Sequence, residues 1–323
     1  MPLTCAALAA ATPPPWWAWT LFFIFIALML ALDLGLIRRG AHTVPVREAL
    51  LWCGVWIGLA LAFGALVWCW RGAEPAQQFL ASYLVEVCMS ADNLLVFILL
   101  FAWFKVAAAW QHRVLFWGVV GSVLMRGAFI LVGVGVMHRF RLAVSIVFGA
   151  FLVFTGAKMA RPKKPGDEIH PDKNPVVRLF RRFFPVAAGF DGANFFTREN
   201  GLCMATPLFL VLLVVETTDL VFALDSLPAV LAITTDAFIA LTSNIFAVLG
   251  LRSLYFALSG VMPLFRFLRP GLALVLIFIG VKMLAARWLE IPTALSLGVI
   301  GAVLAASVLA SVLIRKPAPS PPA

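Results

Sequence analysis

The chain has 323 residues, of which 63% are hydrophobic and only 12% are charged, and its mean hydropathy is +1.01. This composition excludes an ordinary soluble domain and predicts an integral membrane protein. The formal net charge of +10 does not require nucleic acid as a partner, because most of the basic residues lie in short loops between apolar segments.

Nine apolar segments are long enough to cross a bilayer as helices. About 20 apolar residues span roughly 30 Å of hydrocarbon, and a helix satisfies its own backbone hydrogen bonds there. The predicted spans are 17–37, 49–70, 79–104, 114–137, 142–159, 205–233, 238–260, 271–289 and 293–314. We therefore expect an all-α polytopic membrane protein with about nine transmembrane helices.

The lysines and arginines of the connecting loops predict the orientation of the chain. If the N-terminus lies outside, seventeen of them fall in inner loops or the C-terminal tail and only four in outer loops, as the positive-inside rule requires. The N-terminus lacks the basic start and small-residue cleavage site of a secretory signal, so we expect the first span to be retained. The C-terminus is then cytoplasmic.

The region between the fifth and sixth spans, 161–204, is the longest polar stretch. Its start is rich in proline and charge, which indicates an exposed linker, with a regulatory or partner-binding role as the alternative. Residues 176–184 combine basic and aromatic side chains, which are typical of a short helix at the lipid surface. The five cysteines form no C-x-x-C pair, which argues against a disulfide framework or a thiolate metal site.

Two parts of the chain share a pattern in which an acid precedes an Asp-(Asn/Ser) pair by six residues. The residues are Glu86, Asp92 and Asn93 in the first copy and Asp219, Asp225 and Ser226 in the second. Segments 149–159 and 273–283 are also alike, and each part has a mid-span arginine, Arg126 or Arg252. Three matches in the same order predict an internal repeat of three helices.

An odd number of crossings in each repeat requires the two copies to be inverted relative to each other. The chain then divides into two peripheral helices (1–78), the first repeat (79–160), a cytoplasmic linker (161–204), the second repeat (205–290) and a last helix with a cytoplasmic tail (291–323). In transporters built from inverted repeats, the binding site lies near the bilayer midplane where the repeats meet.

Five acidic residues fall inside the third and sixth spans, where a charge costs about 2.5 to 3.5 kcal/mol on insertion scales. They are Glu86, Asp92, Glu216, Asp219 and Asp225. Arg126 and Arg252 are expected to offset part of this charge, and a divalent cation or protons would offset the rest. Oxygen ligands favour Mg²⁺, Ca²⁺ or Mn²⁺ over zinc or copper. Structural pairing with arginine is the alternative for any single acid.

Helix geometry leaves open how these side chains meet at one ion. Residues seven apart share a helix face, whereas residues six apart lie about 120° round the helix, so a straight helix cannot present them all. Pro228 removes a backbone hydrogen bond beside Asp225 and predicts local unwinding there. Asn244 is expected to form either a helix–helix hydrogen bond or a further ligand contact.

The acidic motifs and a segment in the seventh span resemble the TerC family of bacterial membrane proteins. The matching patterns are E-x5-D-N, E-x2-D-x5-D-S-x-P-A and TSNIFAVLGLR at 242–252, and RRGAH at 38–42 resembles the Alx-like branch. The similarity extends over 21–314. It implies export of Mn²⁺ across the inner membrane, with the motif residues as candidate metal ligands. These are Glu86, Asp92, Asn93, Glu216, Asp219, Asp225 and Ser226.

The sequence thus predicts a secondary transporter that exports Mn²⁺ as its substrate, with protons as a candidate counter-ion. We expect no enzyme, because no nucleophile stands beside a base and an orienting group. The alternative is a membrane scaffold that assists the assembly or metal loading of other membrane proteins, with the acids as a structural cation site. The expected partners are a divalent metal ion and membrane lipid, and the sequence identifies no protein partner.

Overall fold

The computed structural model describes residues 14–37, 46–160, 175–199, 202–261, 267–286 and 291–313. Within these ranges the chain forms ten helices and one antiparallel hairpin. The helices are α1 (Trp16–Ile37), α2 (Val46–Arg71), α3 (Ala73–Trp103), α4 (Ala108–Arg139), α5 (Arg141–Ala160), α6 (Pro175–Phe183), α7 (Pro207–Ile233), α8 (Ala237–Val261), α9 (Leu268–Ala285) and α10 (Thr293–Leu313). The strands are β1 (Phe196–Glu199) and β2 (Leu202–Ala205).

The prediction of an all-α polytopic membrane protein is confirmed. Among the described residues, seven helices are long and apolar enough to cross a membrane: α2, α3, α4, α5, α7, α8 and α10. The remaining two predicted spans, in α1 and α9, contain shorter apolar stretches, Trp16–Leu32 and Pro270–Ala285. The count of nine crossings therefore stays a prediction.

The region between α5 and α7 differs in part from the prediction. The surface helix expected at 176–184 is present as α6, and the start of the expected linker, 161–174, lies outside the described residues. The sequence analysis missed the β1–β2 hairpin. It also began the sixth span at Ala205, which is the last residue of β2, whereas Pro207 is the first residue of α7.

Of the seven long apolar helices, α3 and α8 are the most enclosed. In the central apolar stretch of each, 69% and 72% of the residues are buried inside the bundle. They pack against each other, and both contact α2 on one side. Helix α4 packs against α7 and α8, while α7 also contacts α3. The helices that carry the predicted acids, α3 and α7, are therefore in contact with each other, and α3 is the more enclosed of the two.

Local sequence explains the sharp connections between these helices. Gly72 joins α2 to α3 with φ of 93°, a conformation that favours glycine. Asp236 immediately precedes α8, and its Oδ1 accepts hydrogen bonds from the backbone N–H groups of Phe238 at 2.9 Å and Ile239 at 3.2 Å. This is the usual role of an N-cap aspartate. Arg71 at the end of α2 pairs with the same carboxylate at 2.6 Å.

Helices α5 and α9 approach each other closely through glycines. A Cβ atom added to Gly156 would lie 2.8 Å from the carbonyl oxygen of Ala273, and one added to Gly280 would lie 2.7 Å from that of Gly149. Such distances are too short for an ordinary side chain, and small residues are the usual means of close packing in membranes. The glycines therefore set the spacing of this helix pair.

Candidate functional site

Arg126 is the centre of a buried polar network that joins four helices. Its side chain is 2% exposed. The Nε atom donates to Ser122 Oγ at 3.1 Å, and Nη2 donates to Asp219 Oδ1 at 3.3 Å. The Nη1 atom donates to Glu86 Oε1 and, at 3.3 Å, to Asn244 Oδ1. One guanidinium of α4 thus contacts α3, α7 and α8.

The charges in this network require one another. Glu86 is fully buried and Asp219 is 4% exposed, and an unpaired carboxylate at such a position would be strongly destabilising. Arginine suits the role because its planar fork carries five N–H donors and stays charged. Ser90 adds a longer contact by donating to Glu86 Oε1 at 3.5 Å. Arg126 therefore pairs with one acid on α3 and one acid on α7 at the same time.

Three carboxylate oxygens in this region are buried and have no hydrogen-bond partner among the residues that the structure describes. They are Glu86 Oε2, Glu216 Oε2 and Asp219 Oδ2. A buried acceptor left unsatisfied costs about 1–3 kcal/mol, and more when it is charged. A bound cation or proton would remove that cost, so these oxygens are the strongest candidate ligand atoms.

Glu216 lies where α4 and α7 cross. A Cβ atom on Gly121 would overlap the Glu216 carboxylate. The absence of a side chain at Gly121 therefore creates the space that this carboxylate occupies. Glu216 is not part of the Arg126 hydrogen-bond network that the described residues form, but it lies one turn before Asp219 on the same helix.

A small enclosed cavity adjoins the network. Its volume of about 20 Å³ is enough for about one water molecule. Asp219, Ser122 and Arg252 supply its polar lining, and the other lining residues are apolar apart from Gly118. The cavity therefore offers space next to the Asp219 carboxylate for a small species that has lost its hydration shell.

Among the described side chains, Asn93, Asp225 and Ser226 form no hydrogen bond with Arg126. Ser226 is buried, but its hydroxyl donates to the backbone carbonyl oxygen of Ala223 at 3.3 Å. Asn93 is buried, and Asp225 is half-buried. The side chain of Asp92 lies outside the described residues.

The predicted unwinding at Pro228 is wrong. Helix α7 continues from Pro207 to Ile233 with Pro228 inside it. Proline is tolerated in membrane helices because neighbouring groups and small adjustments satisfy the freed carbonyl, and Pro228 is buried among such neighbours. The backbone beside Asp225 therefore stays helical.

The described acids do not form a ready-made chelate. No three described His, Cys, Asp or Glu side chains lie close enough together to hold a metal ion. The structure instead places Arg126 between Glu86 and Asp219. The oxygen donors suit a hard cation, but binding to several acids at once requires that the helices or side chains rearrange.

Part of this network was predicted from the sequence. Arg126 was predicted to offset the acids, as it does, and a helix–helix hydrogen bond was one of the two alternatives for Asn244. The structure shows that hydrogen bond, from Arg126 to Asn244. The roles of Ser122 and Gly121 were not predicted. Ser122 lies four residues before Arg126, a helical spacing that brings side chains together. The sequence contains no comparable signal for the contact between Gly121 and Glu216.

The chain is similar to several known proteins. The sequence model described as "Integral membrane protein TerC family" matches residues 71–318. The membrane protein STKORF319 of Myxococcus xanthus is 46% identical over 302 residues, 94% of each chain. Alx of Escherichia coli strain K12, named as a candidate membrane-bound redox modulator, is 45% identical over 295 residues, 88% of this chain and 91% of its own. The thylakoid membrane protein TERC of Arabidopsis thaliana is 41% identical over 256 residues, 79% of this chain and 66% of its own. No solved structure matches.

Proposed function

Because the chain belongs to the TerC family of integral membrane proteins, we propose that it is a secondary transporter that exports Mn²⁺ across the bacterial inner membrane. The observation that carries the proposal is the buried network of Arg126. Glu86 and Asp219 share this arginine, yet each keeps a buried oxygen with no hydrogen-bond partner in the described part of the chain. Carboxylate oxygens of this kind suit a hard divalent cation.

Charge supports a cation rather than an anion as the substrate. Five acids lie in the interior of α3 and α7, away from the helix ends, and two arginines, Arg126 and Arg252, lie in the interior of the packed helices α4 and α8. The excess of negative charge is costly in a membrane unless a cation or protons offset it. The seven motif residues remain the proposed ligand set, with Glu86, Glu216 and Asp219 as its core.

An inverted repeat is part of the proposal, in which α3, α4 and α5 correspond to α7, α8 and α9. The helix contacts support it, because α3 packs against α8 as α4 packs against α7. The α5–α9 pair supports it more specifically. Gly156 approaches Ala273 as Gly280 approaches Gly149, and the two repeated segments align Gly156 with Gly280 and Gly149 with Ala273.

We further propose that α1 and α9 cross the membrane, which gives nine crossings with the N-terminus outside and the C-terminus cytoplasmic. The distribution of lysine and arginine supports this orientation. It places α6 and the β1–β2 hairpin on the cytoplasmic side, next to the beginning of α7.

In the proposed cycle, Mn²⁺ enters from the cytoplasm, loses part of its water shell and binds the core carboxylates. The guanidinium of Arg126 must give way for the ion to reach both Glu86 and Asp219, and its bonds to Ser122 and Asn244 can hold it nearby. Rocking of one repeat against the other then exposes the ion to the outside. Protons that replace the ion on the carboxylates would return in exchange.

Intracellular manganese in cells challenged with the metal tests this proposal. We expect Asp92→Asn, Asp219→Asn and Asp225→Asn each to raise manganese to the level of cells that lack the protein. Asp191→Asn is the matched control, because it makes the same chemical change at an exposed position outside the motif-bearing helices α3 and α7. Normal export by all three motif variants at normal protein levels would overturn the ligand assignment. If the protein were a scaffold without transport activity, intracellular manganese would be the same in cells that have the protein and in cells that lack it.

A further inference from the structure

The segment that precedes α7 forms a compact structure at one end of the bundle. We call it the cap and define it as residues 175–199 and 202–206, which comprise α6 and the β1–β2 hairpin. Ala187 N–H donates to the carbonyl oxygen of Ala205 at 2.9 Å, and Ala205 N–H donates to that of Pro185 at 3.0 Å. Residues 185–187 are therefore hydrogen-bonded to β2, and the cap is a folded unit.

Aromatic contacts fix the cap to the first turn of α7. The ring of Phe209 lies 5.2 Å from that of Phe180 and 4.8 Å from that of Phe196. On α6, Val177 is buried and Phe180 is half-buried. One side of α6 thus faces the protein, and its position relative to the transmembrane bundle is set by packing.

The cap also exposes large apolar side chains. Leu179, Phe183 and Phe184 are 58%, 71% and 55% exposed, and Phe196 and Leu202 on the hairpin are also at least half exposed. Contact of this much apolar surface with water is unfavourable. Next to a transmembrane bundle, the boundary between lipid headgroups and acyl chains is the environment that covers it.

Three arginines stand among these apolar side chains. Arg178, Arg181 and Arg182 are exposed, and none of them forms an ion pair with another residue that the structure describes. The alternation of arginine with Leu179 and Phe183 on one short helix matches an anionic membrane surface, which supplies both phosphate groups and apolar chains.

A cleft beside this surface gives the lipid a defined position. It has a volume of about 550 Å³ and lies between the cap and the ends of α3 and α7. Among the described residues that line it, Arg181 is the only charged one, and Trp103, Phe104 and Pro207 contribute to apolar walls. A single cation on apolar walls suits an amphiphilic anion better than a freely dissolved one, because the walls gain nothing from a hydrated ion.

We propose that this cleft binds one anionic phospholipid, with its phosphate at Arg181 and its upper acyl chain against Trp103 and Phe104. Arginine is well suited to the phosphate because it can donate two parallel hydrogen bonds to it. Tryptophan is typical of the headgroup level of a membrane. The lipid site does not depend on the identity of the transported ion.

Native mass spectrometry of the full chain, purified in detergent and stripped of lipid, tests the proposal with dioleoyl phosphatidylglycerol and dioleoyl phosphatidylcholine as probes. We expect phosphatidylglycerol to bind more tightly and this preference to shrink as ionic strength rises. Arg181→Gln should weaken phosphatidylglycerol binding roughly tenfold, as expected for one charge-assisted contact. Arg181→Lys should keep part of the phosphatidylglycerol affinity that Arg181→Gln loses.

Arg139→Gln is the matched control. Arg139 is also exposed, and its guanidinium lies beside the aromatic ring of Phe140. It is the last residue of α4 and does not line the cleft. This variant should bind phosphatidylglycerol like the unmodified chain. Equal binding of the two lipids, or equal losses in Arg181→Gln and Arg139→Gln, would overturn the proposal and point to a protein as the occupant of the exposed surface. Displacement of the lipid by glycerol phosphate alone would also overturn it, in favour of a soluble anion.

Discussion

Arg126 links acids that are distant in sequence and lie on different helices. It donates to Glu86 on α3 and to Asp219 on α7, and both acids are almost fully enclosed. In such surroundings the loss of one partner leaves a charge that neither water nor protein compensates. Stability and the proposed ion binding would therefore depend on the same side chain.

Replacement of Arg126 tests this connection. We expect Arg126→Gln to lower the free energy of unfolding by about 3–5 kcal/mol, because it leaves buried carboxylates without their counter-charge. Adding Glu86→Gln should recover part of the loss, since one of those charges is then removed as well. Thermal unfolding of the two single variants and the double variant in detergent gives the coupling energy. Additive effects of the two changes would contradict the pairing.

Gly121 gives a sharper test of Glu216. The new methyl group of Gly121→Ala would overlap the Glu216 carboxylate, which is the mobile end of a side chain and can move aside. We therefore expect a normally folded protein whose manganese export falls at least about tenfold, since a misplacement of about 1 Å can cost that much or more. Gly135→Ala on the same helix is the control, because no atom lies within 4 Å of its added Cβ. Equal export by the two variants would remove Glu216 from the site.

The acids themselves were predictable from the sequence, because a charged residue in an apolar span is rare and has few structural explanations. The partner of each acid was less predictable. Spacing along one helix shows which residues share a face, but it does not show which face of another helix they meet. That is why Arg126 was expected to offset the acids while Gly121 was missed.

At the scale of the helices, α5 and α9 depend on reciprocal glycine contacts. Gly280→Ala would bring its methyl group 2.7 Å from a backbone oxygen, which cannot move aside as a side chain can. We expect Gly280→Ala and Gly156→Ala each to lower the free energy of unfolding by about 1–3 kcal/mol through overpacking.

Similar losses in these two variants are expected if they occupy equivalent positions in a repeat. Gly298→Ala on α10 should not lower the melting temperature, because no atom lies within 4 Å of its added Cβ and alanine favours a helix more than glycine does. Melting temperatures of the three variants in detergent provide the measurement. Unchanged stability in both Gly156→Ala and Gly280→Ala would show that this helix pair is not held by close glycine contact.

Hydropathy predicted the helices well because the bilayer imposes one rule, that backbone groups be satisfied within the segment. The β1–β2 hairpin was not predictable in the same way. Its strands have four residues each, too few for an alternating pattern to stand out. Pro228 was misjudged for a related reason, since its effect depends on neighbouring helices that the sequence does not show.

At the scale of the whole molecule, the proposed orientation places the cap in the cytoplasm. Cys203 on β2 is exposed and free, and Glu74 at the beginning of α3 is exposed near the opposite end of the helix bundle. In a variant with Cys203 as its only cysteine, we expect a membrane-impermeant maleimide to label inverted vesicles but not intact spheroplasts. Glu74→Cys in a cysteine-free background should give the reverse result. Labelling of Cys203 in intact spheroplasts would show that the chain has the opposite orientation.

The proposed inverted repeat would account for the same helix contacts occurring twice, and it would also provide a means of transport. Two units of similar structure and opposite orientation can exchange inward-facing and outward-facing arrangements around one site. The Arg126 network joins helices of both proposed units, so movement of one unit against the other must alter the distances between the acids. Ion binding and release would follow from that change.

Manganese flux into proteoliposomes tests the central claim most directly. The account predicts saturable movement of Mn²⁺ down an imposed gradient by the unmodified chain, and its loss in Asp219→Asn at equal reconstitution, with Asp191→Asn as active as the unmodified protein. Absence of flux through a folded, correctly inserted protein, or full flux through Asp219→Asn, would contradict it.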